Sequence, residues 1–111
     1  MRATVTVAAV TAGSASAASN WVVVDRFPVP TNIAVFVVVS GTANYTIQHT
    51  PSNVGLVGTS GVRVFNHETL VTLASSEDGN YAFPPAAIRL MSNPVTGASG
   101  NVEMTLIQSG N

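Results

Sequence analysis

The sequence predicts an all-β protein, one antiparallel sandwich or barrel folded from the whole chain. Three observations predict it. Runs rich in valine, isoleucine and threonine recur along the 111 residues, and clusters of Gly, Pro, Ser, Asn and Asp separate them at short intervals. No segment combines an apolar repeat of helical period with helix caps. With 46 % hydrophobic residues the chain can fill one core, and it is too short for two; it shows neither an internal repeat nor a domain linker.

Strands are expected at residues 3–10, 20–25, 33–39, 42–49, 61–65, 69–74, 80–83, 86–91 and 101–107. The first alternates Thr4, Val5, Thr6, Val7. Its arginine, apolar stretch and small residues also suit a signal peptide, but the alternation and the lack of a leucine-rich centre favour a strand. Residues 8–18 are alanine-rich and tempt a helix assignment, yet Thr11, Gly13, Ser14 and Ser16 make them a loop. Further breaks fall at Pro28 and Pro30, at Pro51-Ser52-Asn53, between Gly58 and Gly61, at Asp78-Gly79, at Pro84-Pro85 and at Ser92-Asn93-Pro94. In the last strand Val102, Met104 and Leu106 face the core while Glu103 and Thr105 face away. By the same alternation Ile88 and Leu90 are buried, and Arg89 points outward with Met91.

The stretch "NIAVFVVVSGTANYTIQH" reads as a hairpin turning at Ser40-Gly41. Phe36 then faces Tyr45, Ala34 faces Ile47 and Val38 faces Ala43, which makes a core face. The reverse face sets Ile33, Val35, Val37 and Val39 against Gln48, Thr46, Asn44 and Thr42. A one-residue change in loop length exchanges the two faces of the first strand. In either register an apolar stripe lies beside a polar one and needs a cover. The expected cover is a symmetry mate or another protein rather than the chain's own loop at residues 11–19.

Composition narrows the function. Only 8 % of residues are charged, lysine is absent and the net charge is -1, against about 25 % charged residues in ordinary domains. Four scattered arginines make no stripe for a phosphate backbone and no polybasic membrane contact, so neither nucleic acid nor membrane is an expected partner. No run is long enough to span a membrane as a helix. Without cysteine there is no disulfide, thiolate metal site or thiol nucleophile.

Catalytic patterns are weak. Adjacent His67 and Glu68 point to opposite faces of a strand and cannot act as a dyad there. His49 and His67 lack a third metal ligand at recognisable spacing. Glu77-Asp78-Gly79-Asn80 has too few acids for a calcium loop and reads as a hairpin turn. The expectation is no enzyme, no metal and no cofactor. A sugar-binding module is the alternative, although it would normally show an aromatic platform, and Trp21 is the only tryptophan. Trp21 reads as a residue of a sheet edge or interface. Phe27 with Pro28 and Pro30 forms a rigid extended segment able to lie along a neighbour. Arg89 carries a planar fork suited to a partner carboxylate.

The succession "WVVVDRFPVPTNIAVFVVVSGTANYTIQHT", "FNHETL", "DGNYAFPPAAIRLMSN" and "GNVEMTLIQSG" resembles the small decoration or cement proteins on the heads of tailed bacteriophages. The likeness covers nearly the whole chain, in pattern and style rather than in a diagnostic motif. It implies a single-domain antiparallel β-sandwich, jelly-roll-like, made in the host bacterial cytoplasm. It implies a place on the outer surface of the capsid, bridging neighbouring copies of a major capsid protein as a symmetric dimer or trimer. A tail or fibre subunit would share these features. The interface candidates inferred from the residues are Trp21, Phe27, Pro28, Pro30, Ile33, Val35, Val37, Val39 and Arg89.

Overall fold

A computed structural model describes residues 2–24, 32–52, 63–83 and 85–108. The strands are β1 (Arg2–Ala8), β2 (Val10–Thr11), β3 (Ala17–Ala18), β4 (Val22–Val23), β5 (Ile33–Thr42), β6 (Asn44–Thr50), β7 (Phe65–Asn66), β8 (Glu77–Tyr81), β9 (Ala87–Val95) and β10 (Ser99–Gln108). Their pairing is that of one long antiparallel ribbon. Each outgoing strand meets a returning one: β1 with β10, β3 and β4 with β9, β5 with β8, and β6 with β7. The ribbon rolls up so that β10 also joins β5 and β9 also joins β6. One sheet then has the order β1-β10-β5-β8, and the other runs from β3 and β4 through β9 and β6 to β7. This is jelly-roll wiring in an all-β sandwich. One parallel contact departs from it, where β2 meets β9 at Val10↔Pro94 and Thr11↔Val95.

Alternation decides which side chains fill the space between the sheets. From the first sheet come Val7, Ile33, Val35, Val37, Tyr81, Val102, Met104 and Leu106, and from the second Tyr45, Ile47, Ile88 and Leu90. Across the β5–β10 ladder Val35 lies opposite Leu106, Val37 opposite Met104 and Val39 opposite Val102. The inward alternation of β10 and the outward position of Arg89 on β9 are as the sequence predicts.

The hairpin is not formed. β5 and β6 belong to different sheets, and Ser40-Gly41 lies within β5 just before the chain crosses between them at Ala43. Gly41 (φ +92°) faces Gly100 (φ +74°) across the ladder, so two left-handed residues crease the paired strands at the corner. The faces of β5 are consequently reversed. Ile33, Val35 and Val37 are core, with at most 2 % of their surface exposed, and their cover is the chain's own second sheet. Val39 is half-buried on the same face.

Four other expectations change, the first being that residues 8–18, expected as a loop, carry the short strands β2 and β3, both held by β9. Residues 77–81 form a strand rather than a turn, because β5 supplies a full ladder to a sequence with little strand preference of its own. Residues 69–74 carry only the bridge Leu73↔Tyr45 and pack beside β6, with Thr72 (φ 53°) donating its N–H to Thr46 Oγ1 at 3.0 Å. β9 continues through Pro94, beyond the last β6 pair at Asn44↔Asn93, so proline removes no bond from that ladder. Phe27, Pro28, Pro30 and the Gly58–Gly61 turn lie outside the described residues.

Candidate functional site

Three surfaces carry chemistry. The first is the outer face of the first sheet. Because odd-numbered residues of β5 turn inward, Ala34, Phe36 and Val38 must turn outward. Ile107 stands opposite Ala34, and Thr105 and Glu103 stand opposite Phe36 and Val38. Phe36 is 41 % exposed, Val38 50 % and Ile107 37 %. They form an apolar stripe on the two central strands, flanked by Thr105, Glu103 and, from β8, Asp78. The sequence therefore announces a surplus apolar stripe on this strand but names the opposite residues for it. Alternation shows that two faces exist, and only the partner strands show which one is inward.

The second surface is a cleft of about 370 Å³ at one end of the sandwich, lined by His49, Asn66, His67, Glu68, Tyr81 and Phe83 among others. An adjoining hollow of about 310 Å³ lies between Phe65, Phe83, Pro51, Pro85 and His49. His49 is at the centre. Its ring stacks on Phe65 (6.0 Å, 21°) and meets Tyr81 and Phe83 edge to face at 5.0 and 5.4 Å. Its Nδ1 shares a hydrogen bond with the Tyr81 hydroxyl at 3.0 Å. Phe65 and Phe83 are each about half exposed and form the walls.

His67 has a different role. Its Nδ1 accepts N–H groups from Leu70 at 3.0 Å and Thr69 at 3.1 Å, so the proton is on Nε2, which donates to the Asn80 carbonyl at 2.9 Å. Both nitrogens are engaged in tying residues 67–70 to β8. His67 and Glu68 lie just beyond β7 rather than on a strand, so strand alternation does not set their directions; His67 is buried and Glu68 exposed. No group of three metal-ligating side chains converges among the described residues. Phe65 and Phe83 were missed as site residues. A signal for Phe83 exists in the sequence, where a large aromatic residue directly precedes two prolines, a pattern that stops regular pairing.

Burial lowers the His49 pKa and raises the Tyr81 hydroxyl, in each case by penalising the charged form. For His49 the folded value lies below the ordinary 6.5, so on acidification the unfolded chain takes up the proton first. Stability contributed by neutral His49 is therefore complete above pH 6.5 and is lost progressively as pH falls below it. The expected outcome is a thermal midpoint that drops between pH 7 and pH 5, with a smaller drop in His49→Gln. Equal slopes in parent and variant would sink the assignment.

The third surface is the outer face of the second sheet, which unites two interface candidates. The Arg89 guanidinium lies 4.5 Å above the Trp21 ring, and its Nε donates to Gln48 Oε1 at 2.8 Å. Gln48 in turn donates to Asn66 Oδ1 at 3.1 Å. Farther along the same face Asn93 donates to Asn44 Oδ1 and Thr46 Oγ1 at 2.9 and 3.0 Å. Trp21 is half-buried, and one face of its ring is occupied by Arg89.

No family model, curated protein or solved structure matches this chain. No helix among the described residues is long and apolar enough to cross a membrane.

Proposed function

We propose that the chain is a virion structural protein, a decoration or cement protein that binds the outside of a bacteriophage head. There it bridges neighbouring subunits of a major capsid protein and stabilises the shell. The observation that carries this reading is the exposed stripe of Phe36, Val38 and Ile107, with half-buried Ala34 beside them, on the outer face of the first sheet. Covering a side chain such as Phe36 or Val38 contributes about 1.5–3 kcal/mol for full burial, and a docked subunit would supply that cover. The low charge agrees with contacts that need little steering, so binding should change little with salt. Bridging two subunits makes the second contact intramolecular and multiplies weak affinities by roughly 10²–10⁴. The jelly roll is a fold used by viral capsid proteins and also by lectins, and by itself it decides nothing about function.

A specific observation favours a second reading. Exposed Phe65 and Phe83 beside His49, Asn66 and Glu68 offer ring faces and polar groups to a sugar ring, as a carbohydrate-binding module would. One experiment separates the two. Purified particles should contain the chain at a copy number that matches the capsid lattice, and stripped particles should take the parent back. Phe36→Asp should reduce that uptake by about tenfold or more, as loss of a central apolar contact does. Uptake unchanged in Phe36→Asp but lost in Phe65→Ala and Phe83→Ala would move the contact to the cleft. Absence of the chain from particles would remove the decoration reading.

A further inference from the structure

We propose that two copies of this chain join edge to edge through β1, antiparallel about a two-fold axis at Val5, merging their four-stranded sheets into one of eight strands. This goes beyond the capsid reading and does not depend on it. The inference starts from the edges of the two sheets. Unpaired strand edges invite pairing unless they are short, charged, interrupted or covered. β8 ends the first sheet with five residues that include Glu77, Asp78 and Gly79, and β7 ends the second with two residues. The opposite edge of the second sheet is broken into two-residue pieces. β1 has seven residues, "RATVTVA", free of Gly and Pro, with Arg2 as its only charge. Among the described residues no strand lies along its second edge.

The hydrogen-bonding groups of that edge can be assigned. Ala9 N–H donates to the Gly100 carbonyl at 3.0 Å, which makes Ala9 and Gly100 a hydrogen-bonded pair. Continuing that register, Val7, Val5 and Ala3 direct their N–H and C=O groups at Val102, Met104 and Leu106 of β10. Arg2, Thr4, Thr6 and Ala8 therefore direct theirs away from β10, to the free edge, and all four residues are exposed.

A second copy of β1 satisfies this edge in one register that uses all four residues. Thr4 lies opposite the second copy's Thr6, Arg2 opposite its Ala8, and Val5 opposite Val5 on the axis. Four hydrogen-bonded pairs form, each with two N–H···O bonds. The only charge on the strand stays away from its own copy. Threonines pair on the outer face, a favourable cross-strand combination, and the half-buried Val5 side chains meet on the inner face. Pairing two β1 edges consumes both, so the assembly closes at two copies.

The chain of 111 residues lacks cysteine, which gives a direct test. Sedimentation equilibrium from micromolar to hundreds of micromolar should show reversible association to twice 11.4 kDa. Thr6→Pro removes a donor on the free edge and none on the β10 side, so it should fold and weaken the dimer by about tenfold or more. Val5→Cys places the sole thiols across the axis at a Cα separation of about 4.5 Å, within disulfide reach, and should give a covalent dimer under mild oxidation. Arg2→Cys and Ala8→Cys should each stay largely uncrosslinked alone and crosslink when mixed. A parent that remains monomeric throughout, or forms a trimer, overturns the proposal. So does crosslinking confined to another register, and should Thr6→Pro fail to fold, the cysteine pattern alone decides.

Discussion

Val37→Asp should leave the chain unfolded at room temperature, while Phe36→Asp, one residue away, should leave it folded. Val37 is 2 % exposed and lies opposite Met104 within the core. The substitution removes an apolar burial of about 1.5–3 kcal/mol. It also places a carboxylate among Val, Met and Tyr side chains, where an unpaired charge costs several kcal/mol more even after it takes up a proton. A domain of this size has only about 5–15 kcal/mol in total. Phe36 points into solvent on the other face, so its replacement loses partial burial and gains like-charge repulsion from Asp78 across the β5–β8 pair, together about 1–2 kcal/mol. Circular dichroism with a thermal melt on both variants is the check. A folded Val37→Asp beside an unfolded Phe36→Asp would restore the hairpin orientation and remove the exposed stripe.

Gly100→Ala should be nearly as damaging. Gly100 has φ +74°, and a Cβ added there overlaps the Ser40 backbone carbonyl across the ladder, with the carbonyl carbon at 2.7 Å. The left-handed conformation costs an L-residue about 1–2 kcal/mol, and parting two paired strands costs about 1–3 kcal/mol more. A combined loss of about 2–5 kcal/mol lowers the midpoint by roughly 10 °C or more at this chain length. Gly97→Ala supplies the control, because Gly97 has φ +75° and nothing within 4 Å of an added Cβ. It should show the conformational cost alone. Similar losses in the two variants would leave the close approach at the corner without energetic weight.

How far the sequence could be read depends on the range of the interactions involved. Alternation is local, so the Val102, Met104 and Leu106 face, the inward Ile88 and Leu90 and the outward Arg89 were legible from their own strands. The same is true of the scarcity of charge and of the all-β class. Short-range rules failed where a distant partner overruled them. Ser40-Gly41 has turn chemistry, but β5 is held by β10 through Thr42↔Ser99 and by β8 through Ile33↔Tyr81, so the chain passes through the glycine without reversing. "EDGNY" has the composition of a turn and becomes β8 because β5 offers it a ladder. Thr69 to Ala74 has the composition of a strand, yet His67 ties its start into a turn through two backbone N–H groups.

The candidate surfaces follow the same division. From the residues alone, one strand had to carry apolar side chains on both faces, and Trp21 and Arg89 stood out as residues of an interface; the structure stacks those two together. Which valines became core was a tertiary decision. Period-two alternation is symmetric between the faces of a strand, and only pairing with β10, some 65 positions away in sequence, turned Ile33, Val35 and Val37 inward and left Phe36 and Val38 in water. The aromatic cleft was likewise beyond local reading, because His49 comes from β6, Phe65 from β7, and Tyr81 and Phe83 from the end of β8 and just beyond it, and they meet only when the ribbon is rolled.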